Sequence, residues 1–156
     1  MTTCSPAANA TTAVPDATTV GDAMSPTLIH CSPHTPLRVV ARMMATHGIH
    51  AVYVFDYGVE DDETVSIWGI VSDLDLVASW PVIDQRTAGS TAVQPLVTVS
   101  VHERLERAAQ KMAETGSAHL AVIEPKTGRP VGVLSTLDVA RAIGALPGES
   151  ETNETA

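Results

Sequence analysis

Aromatic side chains are scarce in this 156-residue chain, at 3% of the total. A platform for stacking bases would have to be built from very few rings, which argues against single-stranded nucleic acid as a partner. Positive charge is scarce too: 9 Lys and Arg stand against 18 Asp and Glu, for a formal charge of −9. A surface of that sign repels both a phosphate backbone and an anionic bilayer, so neither nucleic acid nor membrane is expected. The two cysteines, Cys4 and Cys31, form no CxxC arrangement. Neither a disulfide framework nor a thiolate metal or redox centre is expected, and a reducing cytoplasm is the setting they fit. No run approaches the roughly 18 apolar residues of a membrane span, and the start lacks the basic and apolar stretches of an export signal. Catalytic signatures are missing as well: there is no Gly-x-Ser-x-Gly elbow, no Gly-x-x-x-x-Gly-Lys loop and no His-Glu-x-x-His. The chain is therefore not expected to be an enzyme.

What the chain does hold is 44% apolar residues, enough for a real core at this length. Residues 1–19 are mostly Thr, Ala, Ser and Pro without periodicity; they cannot bury enough surface to offset their ordering entropy and read as a disordered tail. Residues 147–156, with Glu149, Glu151 and Glu154 and no apolar partner, read the same way. The fold is expected within 20–146.

That stretch repeats itself. Leu37, Val40, Ala41 and Met44 fall at i, i+3, i+4, i+7, and Leu105, Ala108, Ala109 and Met112 repeat the spacing 68 positions later. Each set is the apolar stripe of an amphipathic helix. Ser32-Pro33-His34-Thr35-Pro36 and Ser100-Val101-His102-Glu103 read as helix starts capped by serine, with His34 and His102 assisting. Gly48 and Gly116 suit the left-handed residue that closes a helix. After them, Ala51-Val52-Tyr53-Val54-Phe55 and His119-Leu120-Ala121-Val122-Ile123 are short, apolar and strand-like. Polar loops at 57–64 and 124–129 lead to second strands, Val65-Ser66-Ile67-Trp68-Gly69-Ile70-Val71 and Pro130-Val131-Gly132-Val133-Leu134. A last helix follows in each half, with Leu74, Val77 and Trp80 matched by Leu137, Ala140 and Ile143. Extended pieces, Leu28-Ile29-His30-Cys31 and Leu96-Val97-Thr98-Val99, precede each unit. The predicted fold class is α/β (α+β): two βαββα repeats, 20–85 and 86–146, packed about a pseudo-two-fold axis, because one such unit buries too little alone.

Where the second strand of each unit meets its last helix, the sequence reads Gly69-Ile70-Val71-Ser72-Asp73-Leu74-Asp75 and Gly132-Val133-Leu134-Ser135-Thr136-Leu137-Asp138. Both follow the pattern Gly-apolar-apolar-Ser-x-x-Asp. One reading is a capping box, in which the serine holds free backbone N–H groups and the acid reaches back, contributing ~1 kcal/mol. The same groups can also serve a ligand, and the pattern's duplication favours that second role.

With those residues the chain resembles a tandem pair of cystathionine-β-synthase (CBS) domains, a Bateman module. The opening Val20-x-Asp22-x-Met24-Ser25-Pro26 is similar to that of a first repeat, whereas Thr91-Ala92-Val93-Gln94-Pro95 is a degenerate second one. The resemblance implies adenosine-containing ligands (AMP, ADP, ATP, NAD or S-adenosylmethionine) in clefts between the repeats. Asp75 and Asp138 would accept from the ribose hydroxyls, as a carboxylate accepts a pair of donors well. Ser72 and Ser135, at helix amino ends, would sit by the sugar and first phosphate. Adenine would be held by main-chain groups near Ile29 or Val97 and near Ala51 and His119. Arg141, one turn beyond Asp138, could face a phosphate where Ala78 stands in the first half; Arg129 and Arg42 are secondary candidates. With so few cations, a monophosphate or adenosyl ligand is easier to hold than a triphosphate unless Mg2+ accompanies it. No cofactor is required. The resemblance further implies pairing into homodimers, with Leu74, Trp80 and Ile143 at the contact, and an effector protein that reads the signal. The rival is a dimerisation module without ligand.

Other clusters have plainer explanations. His47 and His50 are separated by Gly48, which breaks the helix that would align them as metal ligands. His30 and Cys31 are adjacent on a strand and point to opposite faces. Glu60-Asp61-Asp62-Glu63 reads as a solvated loop, and Met24, Met43, Met44 and Met112 as core filling.

Overall fold

The computed structural model describes residues 18–57, 65–92 and 96–146. The acidic run 60–63, the tail expected at 147–156 and residues 1–17 of the tail expected at 1–19 lie outside the described residues; Thr18 and Thr19, the last two of that stretch, are held in the fold, Thr18 O by Leu105 N and Thr19 by Asp22. No helix among the described residues is long and apolar enough to cross a membrane.

A short helix, α1 (Val20–Ala23), opens the fold, followed by β1 (His30–Cys31), α2 (Leu37–His47), β2 (Ala51–Tyr57), β3 (Val65–Ser72) and α3 (Asp73–Ala78). A 3₁₀ segment (Trp80–Gln85) leads to α4 (Ala88–Thr91). The second half repeats the order: β4 (Thr98–Ser100), α5 (Leu105–Thr115), β5 (His119–Ile123), β6 (Pro130–Ser135) and α6 (Thr136–Gly144). Each half forms a three-stranded sheet, β1-β2-β3 and β4-β5-β6, parallel in its first pair and antiparallel in its second. A bulge recurs after Val54 and after Val122. The mixed α+β pair of repeats agrees with the predicted class.

The stripe residues behave as their spacing requires. Leu37, Val40 and Met44 on α2 and Leu105, Ala108 and Met112 on α5 are buried. Gly48 and Gly116 close those helices at φ 62° and 65°, where a Cβ would be strained. Cys31 is buried and His30 exposed, stacked on Phe55 at 4.9 Å. Two expectations fail. The first-half terminal helix stops at Ala78, because Pro81 cannot supply the N–H that continuing it would use, and Trp80 opens a separate 3₁₀ turn. Ser32 and Ser100 do not cap α2 and α5, whose N-caps are Pro36 and Arg104. Their hydroxyls instead accept from His34 N and His102 N at 3.3 and 3.2 Å, fastening a turn ahead of the helix. His102 faces Glu124 at 3.5 Å.

The helix starts are completed by backbone from elsewhere. Leu105 N donates to Thr18 O, and Leu37 N to Arg86 O, both at 3.0 Å. Thr18 and Arg86 are 68 positions apart, so the exchange obeys the duplication: the segment leading into each repeat closes the other. Val20 is fully buried among Leu105, Ala108, Leu120 and Leu134, and Ala88 among Leu37, Val40, Val52 and Val71. Gly89 sits so close that a Cβ there would lie 2.8 Å from Pro33 Cβ and 2.9 Å from its carbonyl oxygen.

Between the halves, Tyr53, Phe55, Ile70 and Ala121 form a shared core with Leu28, Leu96 and Val133 packed on it. The buried Tyr53 hydroxyl donates to Gly132 O across the junction at 2.6 Å. Burial pushes that phenol's pKa up, so it stays a donor. Tyr53→Phe leaves the Gly132 carbonyl without this donor and is expected to cost about 1–3 kcal/mol, read by urea denaturation.

Candidate functional site

β6 ends at Ser135, whose extended backbone (φ −107°, ψ 162°) turns the chain into α6. The serine hydroxyl accepts from Asp138 N at 3.2 Å, while Asp138 Oδ2 accepts from Ser135 N at 2.8 Å and Ser135 Oγ at 2.7 Å. This is a reciprocal capping box, and it locks the carboxylate in one rotamer. Asp138 Oδ1 lies 3.5 Å from Arg141 Nη1. The Asp138 side chain is only 11% exposed, against 69% for Arg141.

The carboxylate lines a cavity of about 180 Å3. One wall comes from the second repeat: His119, Val133, Ser135, Leu137, Asp138 and Arg141. The other comes from the first: Gly48, Ile49, His50 and Ala51 at the α2–β2 corner, with Ser25 and Thr27 from its lead segment. The lead segment lies along β6 through paired bonds, Ser25 N to Val133 O and Val133 N to Ser25 O, at 2.9 and 3.0 Å. Gly132 permits this approach, since a Cβ would fall 2.5 Å from Ser25 O. The glycine of the repeated motif thus has a physical reason. An adjoining cavity of about 450 Å3 shares Ser25, Asp138 and Arg141 and extends along Thr18, Asp22 and Met24.

Of the residues singled out from sequence, Ser135, Asp138, Arg141, Ala51 and His119 meet in this cleft. Ser72 and Asp75 build the same box at the start of α3, with Asp75 Oδ2 accepting from Ser72 N and Oγ, both at 2.7 Å. Residues 93–95, which correspond to 25–27, lie outside the described residues. Ile29 and Val97 are not in the lining of the Asp138 cleft. Their carbonyls accept from Tyr53 N and Ala121 N at 3.0 and 3.1 Å, and their side chains pack on the two cores. Arg42 and Arg129 are exposed and outside the lining as well. Ser25, Thr27 and His50 were not expected there. The paired lead segments carried the only signal for the first two, and it needed the exchange between repeats to become legible.

Two histidines colour the electrostatics. His50 Nδ1 lies 2.8 Å from Asp73 Oδ2, and this bond holds the Asp73 carboxyl below the usual range. Burial pushes the His119 imidazole below its ordinary value, reinforced by His50 and opposed by Asp73, Asp138 and Asp75. Among the described residues no group of three His, Cys, Asp or Glu side chains is placed to hold a metal ion.

Residues 20–80 and 90–145 each match the CBS domain. The chain belongs to the CBS-domain family and carries the domain as a pair. No curated protein matches it. Solved structures do. The CBS domain pair of protein MJ0100, in complex with 5′-methylthioadenosine and S-adenosyl-L-methionine, superposes with TM-score 0.70 at 20% identity, over 81% of this chain and 96% of that one. CBSX2 in complex with AMP gives 0.64 at 27% identity, over 80% and 95%. Hypoxic Response Protein I, with two coordinated zinc ions, gives 0.61 at 25% identity, over 80% and 98%.

Ser135→Ala removes a cap acceptor and is expected to cost ~1 kcal/mol in urea denaturation, with the fold retained. Because the folded His119 holds its proton less well than the unfolded chain does, acidification favours unfolding. Stability should fall as pH drops below about 6.5, and His119→Gln should flatten that decline in melting curves taken across pH.

Proposed function

We propose that the chain is a cytoplasmic regulatory module that binds an adenosine-containing ligand in the Asp138 cleft and signals through conformation or partner affinity. The observation that carries this reading is a nearly buried carboxylate, fixed by its own capping box, in a cavity walled by both repeats. Oδ2 is engaged by the cap, which leaves Oδ1 for a ribose hydroxyl. Charge on the acceptor strengthens that bond. The positive dipole end of α6 and the Arg141 guanidinium offer one phosphate a place. The AMP complex of CBSX2, at 27% identity, supports the ligand class, and the MJ0100 complex extends it among proteins of this fold.

Charge narrows the choice. Arg141 is the one Lys or Arg among the described residues that line the cleft, and it faces Asp138. A monophosphate or an adenosyl compound suits this better than a polyphosphate, which would bring Mg2+ with it. At about 180 Å3 the cavity is smaller than the ~300–1,000 Å3 of typical ligand sites. A nucleotide would therefore extend past Arg141 into the adjoining space. A ligand alters such a module only through its different affinity for two states, one of which an effector protein would recognise.

Asp138→Asn keeps an acceptor for the cap and removes the charge. Calorimetric titration should show adenosine and AMP binding to the wild type and at least about tenfold weaker binding to this variant, with the fold retained. Unchanged affinity would remove Asp138 from the site.

Homodimerisation is part of the same proposal. Leu74, Val77 and Trp80 are 72%, 68% and 79% exposed, beside a groove lined by Ala41, Leu76 and Ile83 and edged by the Arg38–Asp84 pair at 2.6 Å. Apolar residues gathered in one such patch suit a partner face. Trp80→Glu is expected to convert a dimer to a monomer in light scattering; a monomeric wild type would contradict the proposal.

A further inference from the structure

We propose that His119 selects the ligand of the Asp138 cleft by charge: an anionic adenosine compound gains affinity when the imidazole takes a proton, and an uncharged one gains none. This rests on the cleft being an adenosine site. His119 stands directly across from Ser135 in the β5–β6 pairing, and directly paired residues project from the same face of a sheet. Its side chain accordingly lines the cleft with Ser135 and Asp138. The counterpart in the first repeat, across from Ser72, is Ala51. The duplication therefore placed an ionisable ring at one of two equivalent positions.

The groups around the ring come from three elements. Asp138 and Arg141 lie on α6, Asp73 and Asp75 on α3, and His50 just before β2, bonded to Asp73. Arg141 faces Asp138 and is largely exposed, so the cleft supplies an anion with little uncommitted positive charge. A proton on His119 adds a second cation to the lining, less screened because the ring is more enclosed than Arg141. Coupling is reciprocal: an anion that is held better by the charged ring must in turn raise the ring's proton affinity.

The test uses the full chain with adenosine and AMP as probes, titrated calorimetrically at about pH 8 and about pH 5, the lower value set well under the usual imidazole range because burial weakens this ring's hold on a proton. AMP's own phosphate also titrates near pH 6, so the quantity read is the difference between wild type and His119→Gln, both of which meet the same AMP. Wild type should favour AMP over adenosine by several-fold more at the lower pH than the variant does, with adenosine affinity nearly level in both. His102→Gln, at a histidine outside the cleft lining, should keep the wild-type trend. In wild-type NMR titrations, saturating AMP should raise the His119 ring's midpoint, and adenosine should not. If adenosine and AMP bind but His119→Gln follows the wild-type pH profile, or AMP leaves the ring's midpoint unmoved, His119 is not the selector and the adenosine site stands. If neither compound binds at any pH, both proposals fall.

Discussion

The exchange of lead segments is the constraint on which the rest of this structure depends. A single βαββα unit leaves the first turn of its long helix without backbone partners and leaves an apolar hollow over its sheet. Thr18 with Val20 completes the second unit, and Arg86 with Ala88 completes the first. Neither repeat is finished by its own sequence, so the two fold as one body, and the Tyr53–Gly132 bond joins them at the middle. The exchange also builds the cleft. The chain that runs from Val20 toward β1 must cross β6, and in crossing it sets Ser25 and Thr27 beside Asp138.

The Ser–Asp box then serves two purposes with two oxygens. Oδ2 holds the start of α6, and Oδ1, outside the cap, lies 3.5 Å from Arg141 Nη1. A carboxylate already fixed by a cap loses little rotamer freedom when a ligand arrives, which lowers the cost of binding. Symmetry of the scaffold does not extend to the chemistry. Arg141 is matched by Ala78 and His119 by Ala51, while His50 is matched by Ala118 and Asp73 by Thr136, so each repeat carries ionisable groups that the other lacks. Duplicated backbone with diverged side chains leaves the two Ser–Asp boxes with different charged neighbours.

Much of this was legible beforehand. Helix stripes, closing glycines and strand pairs all rest on local periodicity, and a 68-residue self-match reinforces each of them. The serine caps at Ser32 and Ser100 were misread because the hydroxyl-before-proline pattern also suits a turn, and the true caps depend on backbone contributed by the other repeat. The break at Trp80 followed from Pro81 and could have been read. The placement of Ser135, Asp138 and Arg141 in one cavity followed from helical spacing. That of Ser25, Thr27 and His50 did not, since only tertiary packing brings three separate segments together. Ile29 and Val97 lie outside the Asp138 lining, and the carbonyl of each accepts a backbone bond from the neighbouring strand.

A crystal structure of the protein grown with AMP tests the central claim most directly. The account predicts a nucleotide in the cleft between the repeats, its ribose hydroxyls within hydrogen-bond reach of Asp138 Oδ1 and its phosphate toward the amino end of α6. An empty cleft at saturating AMP, or nucleotide bound elsewhere on the surface, would contradict it.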